Sequence, residues 1–273
     1  MKKIFVTGSL LIFSSTLIAL GLISVKADTT TTNPLAGKLI ALDAGHGGDE
    51  VGAQYPANCY GTATDCQIYE KDVNLAVVYA LKTKLENTSA TVVLTRVCDE
   101  TISSRKSRVD MAIEECKSLY NRKCDVLVSV HHNGSTDSTD GLLVIYNEKQ
   151  DKPLAIALHD ALWKSFSTTT NPNNNPNYVD EELDHGGYGM TVYGHLVSAL
   201  TEAYYITNDW EAEQYLKGAT TTISNYDSSS TCDYSVKIGD RINQEADALY
   251  QGLLNYFNAP PTKPGRKSNK SSE

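Results

Sequence analysis

The sequence is short of positive charge. Its 273 residues carry 24 lysine and arginine side chains against 33 aspartate and glutamate side chains, for a formal net charge of −9. The first 27 residues hold three lysines and no acidic residue, and the tail after Asn258 holds four basic residues against one glutamate. The segment between them therefore has a formal charge of about −15. Because proteins contact nucleic-acid phosphates through Lys and Arg, this deficit excludes a nucleic-acid partner.

Three further patterns are missing from the sequence. None of the six cysteines belongs to a Cys-x-x-Cys pair, which argues against a zinc site built from thiolates. The segment GHGG at residues 45–48 fits neither the G-x-G-x-x-G nor the G-K-[ST] pattern of phosphate-binding loops. The chain also has no internal repeat. Repeat architectures and nucleotide-binding folds are therefore poor candidates.

The N-terminus contains the one long apolar run. Lys2 and Lys3 precede apolar residues 4–25, and Val25 and Ala27 occupy the −3 and −1 positions of a cleavage site. This pattern predicts a signal peptide over residues 1–27. The run is also close to the roughly 20 residues that span a bilayer, so an uncleaved anchor is the alternative and the only predicted membrane contact. Either outcome places the protein outside the cytoplasm, secreted or in the cell envelope.

Six cysteines in an exported chain predict disulfides, because thiols outside the cytosol are not kept reduced. Six cysteines allow fifteen connectivities, among which the sequence does not choose. We favour a pair between Cys59 and Cys66, which flank a short loop rich in Gly and Thr. Free buried thiols are the alternative.

Short apolar segments alternate with longer segments of helical period, which predicts a single three-layer α/β domain over residues 38–258. A linker at 28–37 precedes it, and a disordered basic tail at 259–273 follows. The region 167–188, rich in Asn and Pro and then acidic, predicts a long surface loop, with a lid over the site as an alternative. The predicted strands are 39–42, 91–95, 126–130, 142–146 and 200–206, and the predicted helices are 72–85, 104–119, 154–167 and 238–257.

Histidine stands at the end of two predicted strands. His46 lies in the glycine-rich turn after the first strand, and His131 ends the segment VLVSVH. Glu70 comes just ahead of a helix, where its carboxylate can reach the same edge of the sheet. Two histidines and one carboxylate form a common catalytic zinc set that leaves a position open for water. Glu202, at the end of another apolar strand, would add a fourth group that is not a ligand.

Five sequence blocks occur in the order and spacing of a known family. They are ALDAGHGG, Glu70 ahead of KDVNLAVVYALKTKL, VVLTR followed by Asp99 and Arg108, VLVSVHHN, and ALTEAYYITN. By these blocks, residues 38–257 resemble the zinc-dependent N-acetylmuramoyl-L-alanine amidases of the Amidase_3 type. The resemblance is specific because five separate blocks agree, whereas any one block alone would be weak.

The resemblance implies a mixed, mostly parallel sheet flanked by helices, a Zn²⁺ ion held by His46, Glu70 and His131, and Glu202 as the catalytic carboxylate. It further implies a peptidoglycan substrate, cut at the amide that joins N-acetylmuramic acid to the L-alanine of the stem peptide. We expect a monomer. Two alternatives remain: a zinc peptidase that cuts within stem or other secreted peptides, and a catalytically silent wall-binding or regulatory module.

The sequence departs from the family at two positions. His132 stands where the family has a small residue and could compete for the metal, but successive strand residues face opposite sides, so only one of the two histidines can face the site. Tyr204 replaces a common glycine and could alter the floor of the substrate site. Arg96 and Arg108 are predicted to pair with carboxylates near the site. Of the other histidines, His159 and His195 are predicted to be structural, and metal binding by His185 is a less favoured alternative.

Overall fold

In the computed structural model, residues 33–57, 66–167, 175, 177–185, 189–218, 221–224 and 234–260 are described. The strands are β1 (Leu39–Ala44), β2 (Gln54–Tyr55), β3 (Ile68–Tyr69), β4 (Thr91–Leu94), β5 (Val126–Asn133), β6 (Gly141–Tyr146), β7 (Val179–His185), β8 (Ser198–Tyr205), β9 (Thr221–Ser224) and β10 (Ser235–Ile238). The helices are α1 (Glu70–Glu86), α2 (Arg105–Tyr120), α3 (Lys152–Phe166), α4 (Asp209–Gly218) and α5 (Asp240–Asn258), with a short 3-10 helix at Gly189–Val192.

The central sheet has six strands in the order β4-β1-β5-β8-β6-β7. The first four are parallel, whereas β6 runs antiparallel to β8 and pairs in parallel with β7. The carboxyl ends of β1, β5 and β8 therefore meet at one edge of the sheet. This is the edge at which the sequence places its histidines and Glu202.

Helices cover both faces of the sheet. On one face, residues of α1, α3 and α5 share a buried cluster with Ile40 and Leu42, and on the other, residues of α2 and the 3-10 helix share a cluster with Leu39 and Ala41. Alternate residues of a strand face opposite sides, so β1 must be apolar at nearly every position to be buried on both sides. The continuous apolar run LIAL follows from this. The predicted three-layer α/β fold with a mixed, mostly parallel sheet is confirmed.

The region 167–188 differs from the predicted surface loop. Its described acidic part, Val179–His185, forms β7, which pairs in parallel with β6 at the edge of the sheet. An edge strand needs a partner on one side only and tolerates charge on both faces, and charged edges resist pairing with other chains. The acidic run therefore lacks the apolar alternation by which strands are recognised in a sequence.

Part of the predicted linker at 28–37 is folded. Leu35 is fully buried in the core, so the folded part includes residues 33–37. Cys116 and Cys124 form a disulfide with each other, and Cys66 and Cys98 each belong to a disulfide too, so none of the four described cysteines is free. Cys59, the predicted partner of Cys66, lies outside the described residues, as do the predicted signal peptide and residues 261–273 of the tail. Over the described ranges, no helix is long and apolar enough to cross a bilayer.

Candidate metal centre

The predicted ligands His46, Glu70 and His131 come together at the edge of the sheet. His46 lies two residues after β1, Glu70 is the first residue of α1, and His131 lies near the end of β5. The Nε2 atom of His46 is 3.1 Å from Oε2 of Glu70, and the Nδ1 atom of His131 is 3.1 Å from Oε1. One ligand atom from each residue lies within 4.8 Å of those of the other two. The carboxylate thus bridges the two imidazoles.

Glycines make room for this close approach. A Cβ atom at Gly45 would lie 2.3 Å from the His131 ring, and one at Gly52 would lie 2.3 Å from Oε2 of Glu70. Any side chain at these positions would displace a ligand. His46 itself has a φ of 59°, a left-handed conformation that costs energy in a residue with a Cβ atom and that turns the chain sharply off the end of β1.

Hydrogen bonds hold the Glu70 carboxylate in one orientation. Its Oε2 accepts from the Ala53 amide at 2.8 Å, and its Oε1 accepts from Asn74 Nδ2 at 3.2 Å and from the His132 amide at 3.1 Å. Burial raises the pKa of Glu70, but hydrogen bonds and charge from His131 and His46 outweigh burial and hold the pKa well below its usual range. An ionised carboxylate between two imidazoles is a donor set that suits zinc. The residues present therefore fit the implied metal.

Two buried arginines fix the loop that carries His46. Arg108 donates to Asp43 Oδ1 at 3.0 Å, to the Ala44 carbonyl at 2.8 Å and to the His46 carbonyl. Arg96 donates to the carbonyls of Ala44 and Gly45 at 2.8 and 3.0 Å. The predicted pairing with a carboxylate holds for Arg108, whereas Arg96 binds backbone carbonyl oxygens. Together they hold residues 44–46 through the backbone, which leaves the imidazole of His46 available.

Glu202 lies on β8 directly opposite His131 on β5. Both side chains line a cleft of about 780 Å³, together with His46 and Glu70. Among the described residues, Oε2 of Glu202 is buried without a hydrogen-bond partner. Burial, followed by the charges of Glu70, Glu181 and Glu245, raises the pKa of Glu202 well above its usual value. The cleft thus combines a carboxylate of lowered pKa among the histidines with a second carboxyl group of raised pKa.

His132 borders the cleft, but its ring bonds to side chains on the helix side of the sheet. Its Nδ1 lies 2.7 Å from Asn74 Oδ1, and its Nε2 lies 2.8 Å from Glu245 Oε2 on α5. The side chains of His132 and Glu245 are completely buried. Both ring nitrogens are engaged by buried side chains, and among the described residues it is His131, not His132, whose ligand atom lies near those of His46 and Glu70. The sequence did not reveal Glu245 or Asn74 as partners, since Glu245 is 113 residues away along the chain.

Tyr204 also lies on the helix side and does not line the cleft. The register of β5 and β8 shifts between His131 and Asn133, so β8 contains one extra residue there. This bulge turns Tyr204 into the core, where its ring centroid is 4.5 Å from that of His132 and the residue is 1 % exposed. The predicted effect of Tyr204 on the substrate floor is therefore wrong.

The remaining histidines lie away from the centre. His159 bonds Asp180 on β7, His195 bonds Glu148, and the ring of His185 packs 5.1 Å from that of Tyr146. In the part of the chain that the structure describes, His46, Glu70 and His131 are the one group of His, Cys, Asp and Glu whose ligand atoms converge. His185 has no place in such a group.

Known proteins share this fold and sequence pattern. Residues 40–225 match the Amidase_3 family, described as N-acetylmuramoyl-L-alanine amidase. A germination-specific N-acetylmuramoyl-L-alanine amidase of Bacillus subtilis (strain 168) is 26 % identical over 237 residues, which cover 82 % of this chain and 81 % of that protein.

Two solved structures show the same fold. The catalytic domain of CwlV, an N-acetylmuramoyl-L-alanine amidase from Bacillus (Paenibacillus) polymyxa var. colistinus, superposes with a TM-score of 0.55 at 22 % identity, over 80 % of this chain and 97 % of that one. The amidase AmiC2 of Nostoc punctiforme gives a TM-score of 0.56 at 21 % identity, over 81 % and 98 %. Because the family match spans most of the folded part, this chain belongs to the N-acetylmuramoyl-L-alanine amidase family Amidase_3.

Proposed function

We propose that this protein is a zinc amidase that acts on peptidoglycan outside the cytoplasm and hydrolyses the amide between the lactyl group of N-acetylmuramic acid and L-alanine of the stem peptide. The observation that carries the proposal is the convergence of His46, Glu70 and His131 beside Glu202 in one open cleft, in a chain of the amidase family. The catalytic domain would extend over residues 38–258, together with the turn at 33–37 that packs against it.

His46, Glu70 and His131 would hold the zinc ion. When bound there, zinc would polarise the amide carbonyl and lower the pKa of a water molecule. Glu70 contributes a negative charge whose orientation is fixed by three hydrogen bonds from Ala53, Asn74 and His132. Such outer hydrogen bonds keep ligands in place and strengthen metal binding.

Glu202 would move the proton. Its buried Oε2 lacks a partner among the described residues, and its raised pKa means that this carboxylate binds a proton more strongly than a solvated glutamate does. A group that takes a proton from the attacking water and returns it to the leaving nitrogen works best with a pKa near the operating pH. The environment of Glu202 shifts its pKa in that direction.

Mass spectrometry of digested peptidoglycan tests the proposal. The purified protein with added zinc should release stem peptides that begin with a free L-alanine amine and should leave the glycan strands intact. Glu202→Gln provides the matched control for contaminating hydrolases. New amino termini inside the stem peptide, with the muramoyl amide intact, would instead establish a peptidase and overturn the assigned bond.

A further inference from the structure

Asn133 brings a third polar group to the cleft. It is the last residue of β5, and its carbonyl accepts a hydrogen bond from the Ile206 amide at 3.0 Å. Strand residues two apart face the same side and lie about 6.6 Å apart along the chain. The side chain of Asn133 therefore shares the cleft face with His131, and it lines the cleft together with Glu202.

The side-chain amide of Asn133 has no acceptor within the described part of the protein. Its Nδ2 atom is buried and makes no hydrogen bond there. Six buried side-chain atoms share this property over the described ranges, and only Nδ2 of Asn133 and Oε2 of Glu202 belong to residues that line the cleft. A buried donor without an acceptor destabilises the folded protein. A donor kept at such a cost beside the metal centre calls for an acceptor supplied by the substrate.

We propose that Asn133 Nδ2 donates a hydrogen bond to the carbonyl oxygen of the scissile amide and stabilises the negative charge that develops on it. This inference rests on the proposed function. The oxygen of water bonds to the carbonyl carbon, the carbon–nitrogen bond breaks, and Glu202 transfers the water proton to the leaving nitrogen. On β5, Asn133 is the next residue after His131 that faces the cleft. A substrate carbonyl attacked between His131 and Glu202 would therefore lie beside Asn133. Fixed donors aimed at such an oxygen are among the strongest catalytic contributions.

The test separates kcat from KM in Asn133→Ala and in the isosteric Asn133→Asp, with a soluble muramoyl peptide as substrate. Removal of one such donor should lower kcat by about 10²- to 10³-fold and leave KM nearly unchanged, because the interaction forms fully only in the transition state. Zinc content should stay at about one per chain. Since Nδ2 makes no hydrogen bond to the described residues, Asn133→Ala should not lower the thermal midpoint of unfolding, whereas loss of a merely structural asparagine would.

A second measurement does not depend on turnover. A phosphonamidate analogue of the muramoyl-L-alanine amide carries the charge of the tetrahedral state, and Asn133→Ala should bind it at least tenfold more weakly than the wild-type protein does. Asn255→Ala, an exposed amide on α5, serves as the control and should match the wild type. The role of Asn133 is refuted, and the proposed function stands, if the wild-type protein cleaves the muramoyl amide while Asn133→Ala keeps its kcat within about threefold of the wild-type value. The same holds if Asn133→Ala raises KM and leaves kcat unchanged. If the wild-type protein leaves that amide intact, the proposed function fails first.

Discussion

Two adjacent histidines at the end of β5 occupy opposite environments. His131 points into the cleft, remains partly exposed and touches the carboxylate of Glu70. His132 points toward α1 and α5, is completely buried and has both nitrogens bound to side chains of those helices. One imidazole therefore belongs to a group of side chains that could hold a metal ion, and the other closes a buried polar network. The difference comes from the alternation of the strand, not from the residue type.

The two environments are nevertheless connected. Asn74 Oδ1 accepts a hydrogen bond from His132 Nδ1, Asn74 Nδ2 donates to Glu70 Oε1, and the His132 backbone amide donates to the same Glu70 oxygen. A chain of contacts thus runs from Glu245 on α5 to the Glu70 carboxylate. The helix face supports the cleft face, and variants on each side should have different consequences.

The largest effect on turnover is expected from variants of the two glutamates that line the cleft, Glu202 and Glu70, and the two variants should differ in zinc content. Glu202→Gln keeps the shape of the side chain but removes proton transfer, so turnover should fall by about 10²- to 10⁴-fold while zinc content remains near one per chain. Glu70→Gln, the matched variant, should lose zinc as well as turnover because it weakens a ligand. Metal analysis and turnover assays on both variants test this prediction. Loss of zinc from Glu202→Gln would show that Glu202 is a ligand, and near wild-type turnover of Glu202→Gln would show that Glu202 does not transfer the proton.

A smaller effect, on the stability of the fold, is expected at Asp43, which is buried on β1 close to His46 in the sequence. Burial raises its pKa, but the charge of Arg108 and hydrogen bonds from Thr95 and Ser129 lower it below the usual value. Its ionised form therefore stabilises the fold at pH above about 4, and this contribution is lost as the pH falls through the lower folded-state pKa. Asp43→Asn should lower the free energy of unfolding at pH 7 by about 3–5 kcal/mol, because Arg108 stays buried without its counter-charge.

Urea unfolding at pH 7 and pH 3 measures this effect, and the gap between Asp43→Asn and the wild type should narrow at pH 3. Asp110→Asn, which removes an exposed ion pair with Lys106, is the control and should change the free energy by less than about 1 kcal/mol. A gap of equal size at both pH values would show that the charge of Asp43 is not the cause.

The sequence predicted the parts of the molecule that follow a local pattern. All five predicted strands lie in the central sheet, and the four predicted helices match α1, α2, α3 and α5 within two residues at each end. The trio of His46, Glu70 and His131 was predictable because strand ends bring residues to one edge of a parallel sheet. These features depend on periodicity and on chain direction, which a sequence displays directly.

The features that escaped prediction depend on three-dimensional neighbours. The strand β7 is charged at an edge and shows no alternation, and the bulge that turns Tyr204 inward has no sequence marker. Glu245 contacts His132 because α5 packs against α1. Arg96 donates to backbone carbonyl oxygens, which every residue has and which a sequence pattern therefore cannot indicate. Local patterns therefore located the centre, whereas its supports required the tertiary structure.

The zinc content of His131→Ala and His132→Ala tests the central claim most directly. At micromolar zinc, His131→Ala should fall well below one zinc per chain, because it removes one of three ligands. His132→Ala should keep about one zinc per chain and instead lose stability to urea by about 1–3 kcal/mol, because Glu245 and Asn74 lose a buried partner. Full zinc in His131→Ala together with loss of zinc in His132→Ala would contradict the assigned centre.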